Sequence, residues 1–457
     1  MQEISLIPDA KNLMESTRSI GYSLPAAVAD LIDNSIAAKA RNIYVETPTL
    51  SDPNFTILDD GWGMTSKELT NAMKYGSRPV DDVRAESDLG RFGLGLKMAS
   101  LSQCRSLTVV SKCKGLIVGA RWDLDHVATA SLDWSLQILD PQDLESVPGF
   151  DRLSELKHGT LVVWEKLDVM MQDVSSQNAS NLLLNRASEL VRHLSLVFHR
   201  YLEGVDAPKL NIFFNGRELE PIDPFLSTVS TTPFSEDTYE ISGEKIIIQP
   251  YVLPHPKNLS FAQQQQAGDL QRDQGFYIYR NKRLVIWGTW FRLSRKLTLS
   301  KLARIRVDVP ASPTLDRLWS LDVKKSSAVV PEVLKQSLRS VVEKLTGRSE
   351  NVWKKRSRRE QIPGSFWIRS KRPEGTVNYQ INEENEIIRT LIEKYPELSS
   401  VFNLISMAIP LDTIYTDLSN EEVVDVIPQD DELIWKLRKA GLTEKLINAA
   451  LEMTKSR

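Results

Sequence analysis

The spacing of hydrophobic and polar positions changes along the chain, and each change marks an element. In "PAAVADLIDNSIAAK", from Pro25 to about Lys39, apolar residues recur at helical spacing; Ser23 is placed to cap the free amides and proline suits the first turn. "NIYVETP" and "FTILDD" follow, rich in β-branched and aromatic residues, and read as strands. "TSKELTNAMKYG" predicts a short helix, with a capping box from Thr65 to Glu68 and Gly76 at its end. The polar, aperiodic stretch "SRPVDDVRAESDLG" predicts a mobile loop, and "GRFGLGLKMASLSQ" a glycine-rich turn entering a helix. Three more strand-like runs, "SLTVVSK", "GLIVGARWDL" and "GTLVVWEKL", complete a first domain over residues 1–170, with helices on one mainly antiparallel sheet.

A long helical pattern at about 176–203 then leads into a second α/β region, residues 171–345, beginning near "KLNIFFNGREL". Its strands are "KIIIQPYVL", "GFYIYRN", "RLVIWG" and "ARIRVDV", and the polar insertion "NLSFAQQQQAGDLQRDQ" reads as a surface loop. A helix from Pro331 ends in the basic run "KKRSRRE", and residues 346–457 read as a basic linker and a mostly helical region.

Composition narrows the class of protein. A chain of 457 residues exceeds one ordinary core. With 41% hydrophobic residues, 26% charged residues and a net charge of −3, no whole-chain field draws it to nucleic acid or membrane, so such a partner must meet a local patch. Only Cys104 and Cys113 are present, which excludes a disulfide framework and a four-cysteine zinc site and predicts a reducing, cytoplasmic setting. The first residues carry no basic stretch followed by an apolar run, and no long apolar run occurs later, so neither an export signal nor a membrane span is expected.

Three stretches carry candidate chemistry. Asp30 and Asn34 stand one helical turn apart, so one face presents a carboxylate beside an amide; a solvated polar stripe is the other reading. "ILDDGWGMT" sets Asp59 at the end of an apolar strand, followed by Gly61, Gly63 and Met64. That carboxylate is suited to accept from an exocyclic amine while the glycines let backbone approach a flat ring, although a plain Asp-Gly turn has the same letters. "GRFGLGLK" places Gly90, Arg91, Phe92, Gly93, Leu94, Gly95, Leu96 and Lys97 ahead of a helix, where free amides bind phosphate oxygens, or where a tight loop simply turns. The spacing matches neither a P-loop nor a dinucleotide fingerprint.

These stretches in this order, closed by "KHGTLVVWEKL", resemble the nucleotide site of the GHKL ATPases: DNA gyrase, heat-shock chaperones, histidine kinases, MutL and MORC proteins. The resemblance implies a Bergerat-fold α/β sandwich binding ATP with Mg²⁺ under a movable lid. By position, Asn34 resembles the magnesium ligand and Asp30 the catalytic general base. Asp59, Gly61, Gly63 and Met64 match the adenine-binding turn, and Thr160 of the Gly159-Thr160 pair matches the residue whose hydroxyl supports the adenine-binding acid directly or through water. Tyr75, Gly76 and Ser77 resemble the opening of the lid, and Gly90 to Lys97 resemble the phosphate turn. Two departures stand out. Position 30 is Asp where relatives have Glu, about 1.5 Å shorter in reach, and Ala37 replaces an acid common in relatives. Asp33 reads as structural.

"GFYIYRNKRLVIWGTW", "ARIRVDVP" and "DRLWSLDVKKSSAVVP" resemble the MutL and MORC transducer domain, which implies that Lys324 or Lys325 reaches the γ-phosphate. The run from Lys354 to Arg372 gathers Lys354, Lys355, Arg356, Arg358, Arg359, Arg369, Lys371 and Arg372 around Trp353, Phe366 and Trp367, a composition suited either to DNA or to a solvated helix end. His193 and His199 read as packing or surface residues. The expectation is a MORC/MutL-like ATPase whose ATP-dependent homodimer clamps DNA or switches a partner, in DNA repair or defence against foreign DNA. The alternatives are an ATP-gated scaffold that recruits a separate nuclease or helicase, and a chaperone-like client binder.

Overall fold

The computed structural model describes residues 8–19, 21–49, 51–75, 95–130, 134–170, 179–230, 235–254, 258–270, 272–293, 303–310, 312–319 and 330–357, with 367–371, 376–381, 385–394 and 423–424 beyond them. The first part of the chain runs α1 (Ala10–Arg18), α2 (Leu24–Ala37), β1 (Asn42–Glu46), β2 (Phe55–Asp59), α3 (Ser66–Met73) and α4 (Gly95–Leu101). It continues through β3 (Ser106–Cys113), β4 (Leu116–Asp123), α5 (Leu124–Thr129), β5 (Gln137–Ile138), α6 (Pro141–Glu145), α7 (Phe150–Glu155) and β6 (Gly159–Glu165). Then come α8 (Ala179–Val197), α9 (His199–Glu203), β7 (Asn211–Phe214) and β8 (Arg217–Glu218).

The eight strands form one sheet in the order β5-β4-β3-β6-β2-β1-β7-β8, antiparallel except where β7 runs parallel to β1. The two faces follow from the period of two along each strand. Phe55 and Ile57 of β2, Leu107 and Val109 of β3, and Val162 and Trp164 of β6 join one core with Val28, Leu31 and Ile32 of α2 and Leu190 and Leu194 of α8. Leu58, Val110, Leu161 and Val163 point the other way and are covered by Leu144 and Leu153 of α6 and α7.

The expected first-domain helices and strands are present among the described residues, including the α3 capping box in which Thr65 and Glu68 satisfy each other's amides; the expected mobile loop and the glycine-rich turn up to residue 94 lie outside the described residues. Three expectations are corrected. The segment near "KLNIFFNGREL" does not open the second region: β7 extends the first sheet, because Asn42–Val45 offers an unpaired edge that Asn211–Phe214 completes. The long helix is interrupted at Phe198, whose backbone leaves helical geometry between α8 and α9. The glutamine-rich insertion holds a helix, α10 (Phe261–Ala267), for which Ser260 and Gln263 make a capping box.

The second sheet contains β9 (Asp237–Ile241), β10 (Glu244–Val252), β11 (Gly275–Arg280), β12 (Arg283–Thr289) and β13 (Ala303–Val309), in the order β12-β11-β13-β10-β9. α11 (Pro313–Leu318) and the first turns of α12 (Glu332–Ser357) pack Leu315, Leu334, Leu338, Val341 and Val342 on it. Residues 1–295 and 302–345 make one compact unit holding both sheets. Contacts alone therefore draw no boundary at residue 170. In the other unit, β14 (Trp367–Lys371), β15 (Thr376–Ile381) and β16 (Val423–Val424) form a three-stranded sheet, and α13 (Glu386–Lys394) follows β15 in the chain.

The β11–β12 turn has only two residues, Asn281 and Lys282, because Arg280 pairs with Arg283. Both have positive φ, 49° and 69°, as hairpin turns of this length require. Lysine is strained there and glycine is not. Lys282→Gly is expected to raise the unfolding free energy by about 0.5–1 kcal/mol in a urea titration, since the lost contact between Lys282 and Asp206 is a half-exposed pair at 3.6 Å.

Candidate functional site

Strand parity brings three polar residues together at one end of the first sheet. Asp59 of β2 is opposite Thr160 of β6, which is opposite Ser111 of β3, and all three share the helix-facing side with Ile57, Val162 and Val109. Polar groups buried beneath a helix need partners, and here they supply one another. Ser35 of α2 donates its hydroxyl to Asp59 Oδ2 at 2.7 Å, and the Gly61 amide donates to Asp59 Oδ1 at 2.9 Å. The Ser111 hydroxyl stands 3.0 Å from that of Thr160, donates to the Gly159 carbonyl at 3.1 Å and accepts from the Met64 amide at 2.8 Å.

Asp59 remains an unusual group despite these bonds. Its burial pushes its pKa up to about 6, against the lowering effect of Ser35 and of the Gly61 and Thr160 amides. Thr160 acts on Asp59 through its backbone amide, and Ser35 provides a direct hydroxyl.

The turn after Asp59 is packed against backbone. Gly63 has φ +70°, and a Cβ there would lie 2.0 Å from the Lys112 carbonyl oxygen; one on Gly61 would meet Ala38 Cβ at 2.8 Å. Glycine is required at position 63 because neither the conformation nor the space admits a side chain. Trp62, between the two glycines, is largely exposed, and the ring of His158 lies 5.9 Å from it.

α2 is buried around most of its circumference, but Asn34 is exposed. Asp30, one turn earlier, is 5% exposed, with the Tyr22 hydroxyl donating to Oδ2 at 3.2 Å. A Cβ on Gly95, the first residue of α4, would stand 4.0 Å from the same oxygen, so Asp30 faces the start of α4. Leu96 packs partly buried against the main core.

The side chain of Lys97 turns to the end of α3. Its ammonium donates to the carbonyls of Ala72 at 2.7 Å and Lys74 at 2.9 Å, the orphan carbonyls that a helix end leaves behind, and burial lowers its pKa to about 8. Trp122 donates its indole N–H to Met73 at 2.9 Å, at the same end of α3. Tyr75 lies against Trp122 and Trp134, with ring centroids 6.2 and 5.3 Å away, and its burial pushes the hydroxyl pKa well up. Gly76, Ser77, Gly90, Arg91, Phe92, Gly93, Leu94, Lys324 and Lys325 lie outside the described residues. Of the basic run, Lys354 to Arg356 fall on the α12 backbone and Arg369 and Lys371 on β14, while Arg358, Arg359 and Arg372 lie outside the described residues.

The donors fit a magnesium ion held mainly by phosphate and water. Among the described residues no three of His, Cys, Asp and Glu cluster as metal ligands, whereas one amide oxygen such as that of Asn34 suits Mg²⁺, which keeps several waters and takes substrate phosphates. Ser35, Ser111, Tyr22 and Arg283 were not among the expected site residues. Arg283 reaches α2 from the second sheet, with Nε 3.0 Å from the Asp33 carboxylate.

Comparison with known proteins finds similarity over the part of the chain that holds this geometry. Residues 22–160 match the family of histidine kinase-, DNA gyrase B- and HSP90-like ATPases. ATPase morc-1 of Caenorhabditis elegans is 30% identical over 107 residues, 23% of this chain and 12% of that protein. Structural maintenance of chromosomes flexible hinge domain-containing protein 1 of Homo sapiens is 32% identical over 143 residues, 24% of this chain and 7% of that protein. The chain thus spans only a small part of the length of these relatives. The matched residues run from Tyr22 to Thr160 and take in α2, the Asp59 turn and the Gly-Thr pair, so a GHKL-type ATPase domain is present, with its relatives supporting a MORC-like branch.

Proposed function

We propose that the chain is a MORC- or MutL-like ATPase that binds Mg-ATP between α2, the Asp59 turn and the start of α4. The observation that carries this reading is the buried Asp59, supported by Ser35, Gly61 and Thr160 beside a glycine turn with no room for side chains. Asp59 accepts from the adenine amine. The Asn34 amide oxygen holds Mg²⁺, which when bound offsets phosphate charge. Asp30 orients and deprotonates the attacking water. Residues 75–97 form the lid and phosphate turn, and Lys324 or Lys325 of a transducer-like second region meets the γ-phosphate.

In this reading nucleotide binding closes a homodimer on DNA, through Lys354–Arg372, or on a partner protein, in DNA repair or defence. A slow-turnover version, an ATP-gated scaffold for a separate nuclease or helicase, is favoured by the short Asp30 carboxylate, held by Tyr22 at 3.2 Å. Sedimentation of the purified chain with and without a non-hydrolysable ATP analogue tests the gating. A shift from monomer to dimer that needs both nucleotide and Mg²⁺, and that Asn34→Ala removes, is the expected result. An unchanged sedimentation coefficient despite bound analogue ends the clamp reading, and tight binding without turnover leaves the scaffold.

A further inference from the structure

Arg283 opens β12, and the two-residue turn before it fixes its register. The turn is in turn held to α9, where the Tyr201 hydroxyl donates to the Asn281 carbonyl at 2.7 Å. Arg283 is 4% exposed and enters a site made by α2 and the end of α8. Its Nε lies 3.0 Å from both oxygens of Asp33, a residue 1% exposed. Nη1 donates to the Leu284 carbonyl at 3.3 Å, and the guanidinium sits 5.7 Å from the Phe198 ring centre. Nη2 stands 3.8 Å from Asp30 Oδ1.

This geometry divides the labour between two carboxylates. Desolvating a guanidinium and a carboxylate costs several kcal/mol, and Asp33 offsets part of it by taking the short contact. Asp30 lies beyond hydrogen-bond range of the same guanidinium, so the cation steers its carboxylate without taking up a lone pair. Tyr22 holds the opposite oxygen, Oδ2, on the side that faces Gly95.

We propose that Arg283 is a positioning residue for ATP hydrolysis: clamped by Asp33, it fixes the Asp30 carboxylate toward the start of α4, so turnover depends on the second sheet being seated against the ATPase domain. This inference rests on the ATPase reading above. It makes the second sheet contribute to the rate through α2, independently of any lysine that meets the γ-phosphate.

The test compares phosphate release and the affinity for a non-hydrolysable ATP analogue in the full chain, its Arg283→Met and Arg283→Lys variants, and the pair Asp33→Asn/Arg283→Met. Arg283→Met is expected to lower kcat about 10- to 100-fold while analogue affinity stays within about threefold. Arg283→Lys, which keeps the charge, recovers part of the rate. The double variant removes the Asp33 charge together with the guanidinium that it pairs, so it reports the rate even where Arg283→Met folds poorly; it is expected to be as slow as Arg283→Met, because the two residues act as one unit. Parallel loss of kcat and affinity, a lysine variant no faster than methionine, or a double variant near the wild-type rate would each overturn the proposal. A wild type that neither binds nor turns over Mg-ATP removes the ATPase reading and this inference together. An active wild type with unaffected variants removes this inference alone.

Discussion

Asp30→Asn is expected to bind a non-hydrolysable ATP analogue as tightly as the wild type and to release phosphate about 10²- to 10⁴-fold more slowly, the range that removal of a general base produces. The amide has nearly the same shape, so it still accepts from the Tyr22 hydroxyl, now 3.2 Å from Asp30 Oδ2. It has lost the capacity to take a proton. Because Asp30 is buried between Tyr22 and Arg283, its position is set by fixed partners rather than by solvent. Asp30→Glu separates reach from basicity. If the short side chain limits the rate, the added methylene speeds hydrolysis; if Tyr22 and Arg283 already place the carboxylate, it displaces a seated group and slows the reaction. Steady-state phosphate release distinguishes these, and undiminished turnover in Asp30→Asn removes Asp30 from the mechanism.

Much of this site was legible because it obeys local rules. Asp59 ends a run of apolar residues and two glycines follow within four positions, and α2 carries its carboxylate and amide one turn apart. The partners of these groups are a different matter. Ser35 and Asp59 are 24 residues apart, Met64 and Ser111 47, and Arg283 and Asp33 250. Strand period shows that Ser111 shares a face with Val109, but not that β6 lies between β3 and β2, and that order alone sets Asp59, Thr160 and Ser111 in a row. β7 joins the first sheet and not the second region for the same reason, since a strand's letters do not name its neighbour. Lys97 shows the converse. Its place in a glycine-rich turn suggests phosphate, yet the carbonyls of Ala72 and Lys74 at the end of α3 take its ammonium.

Acidification should stabilise the ligand-free protein and weaken its hold on nucleotide over the same pH range. Burial raises the Asp59 pKa from 3.8 to about 6, so between these values the folded chain holds a proton that the unfolded chain has released. Stability therefore falls as pH rises through this window and levels off above it, by roughly 3 kcal/mol for a shift of this size. Adenine binding runs the other way, because the ionised carboxylate is the better acceptor and is lost below about pH 6. Asp59→Asn removes both dependences at once. Its amide oxygen still accepts from Gly61 and its NH₂ meets the Ser35 hydroxyl, which turns to accept, so the ligand-free variant is expected to gain roughly 1–3 kcal/mol at neutral pH and to lose the slope between pH 4 and 6. The same NH₂ presents a donor to the adenine amine, and affinity for an ATP analogue should fall about 10- to 100-fold, the worth of a hydrogen bond to a charged group. Urea titrations across pH and calorimetric binding measure the two effects separately. A wild-type stability profile that is flat between pH 4 and 6 contradicts the buried proton; unchanged analogue affinity in Asp59→Asn contradicts the adenine contact.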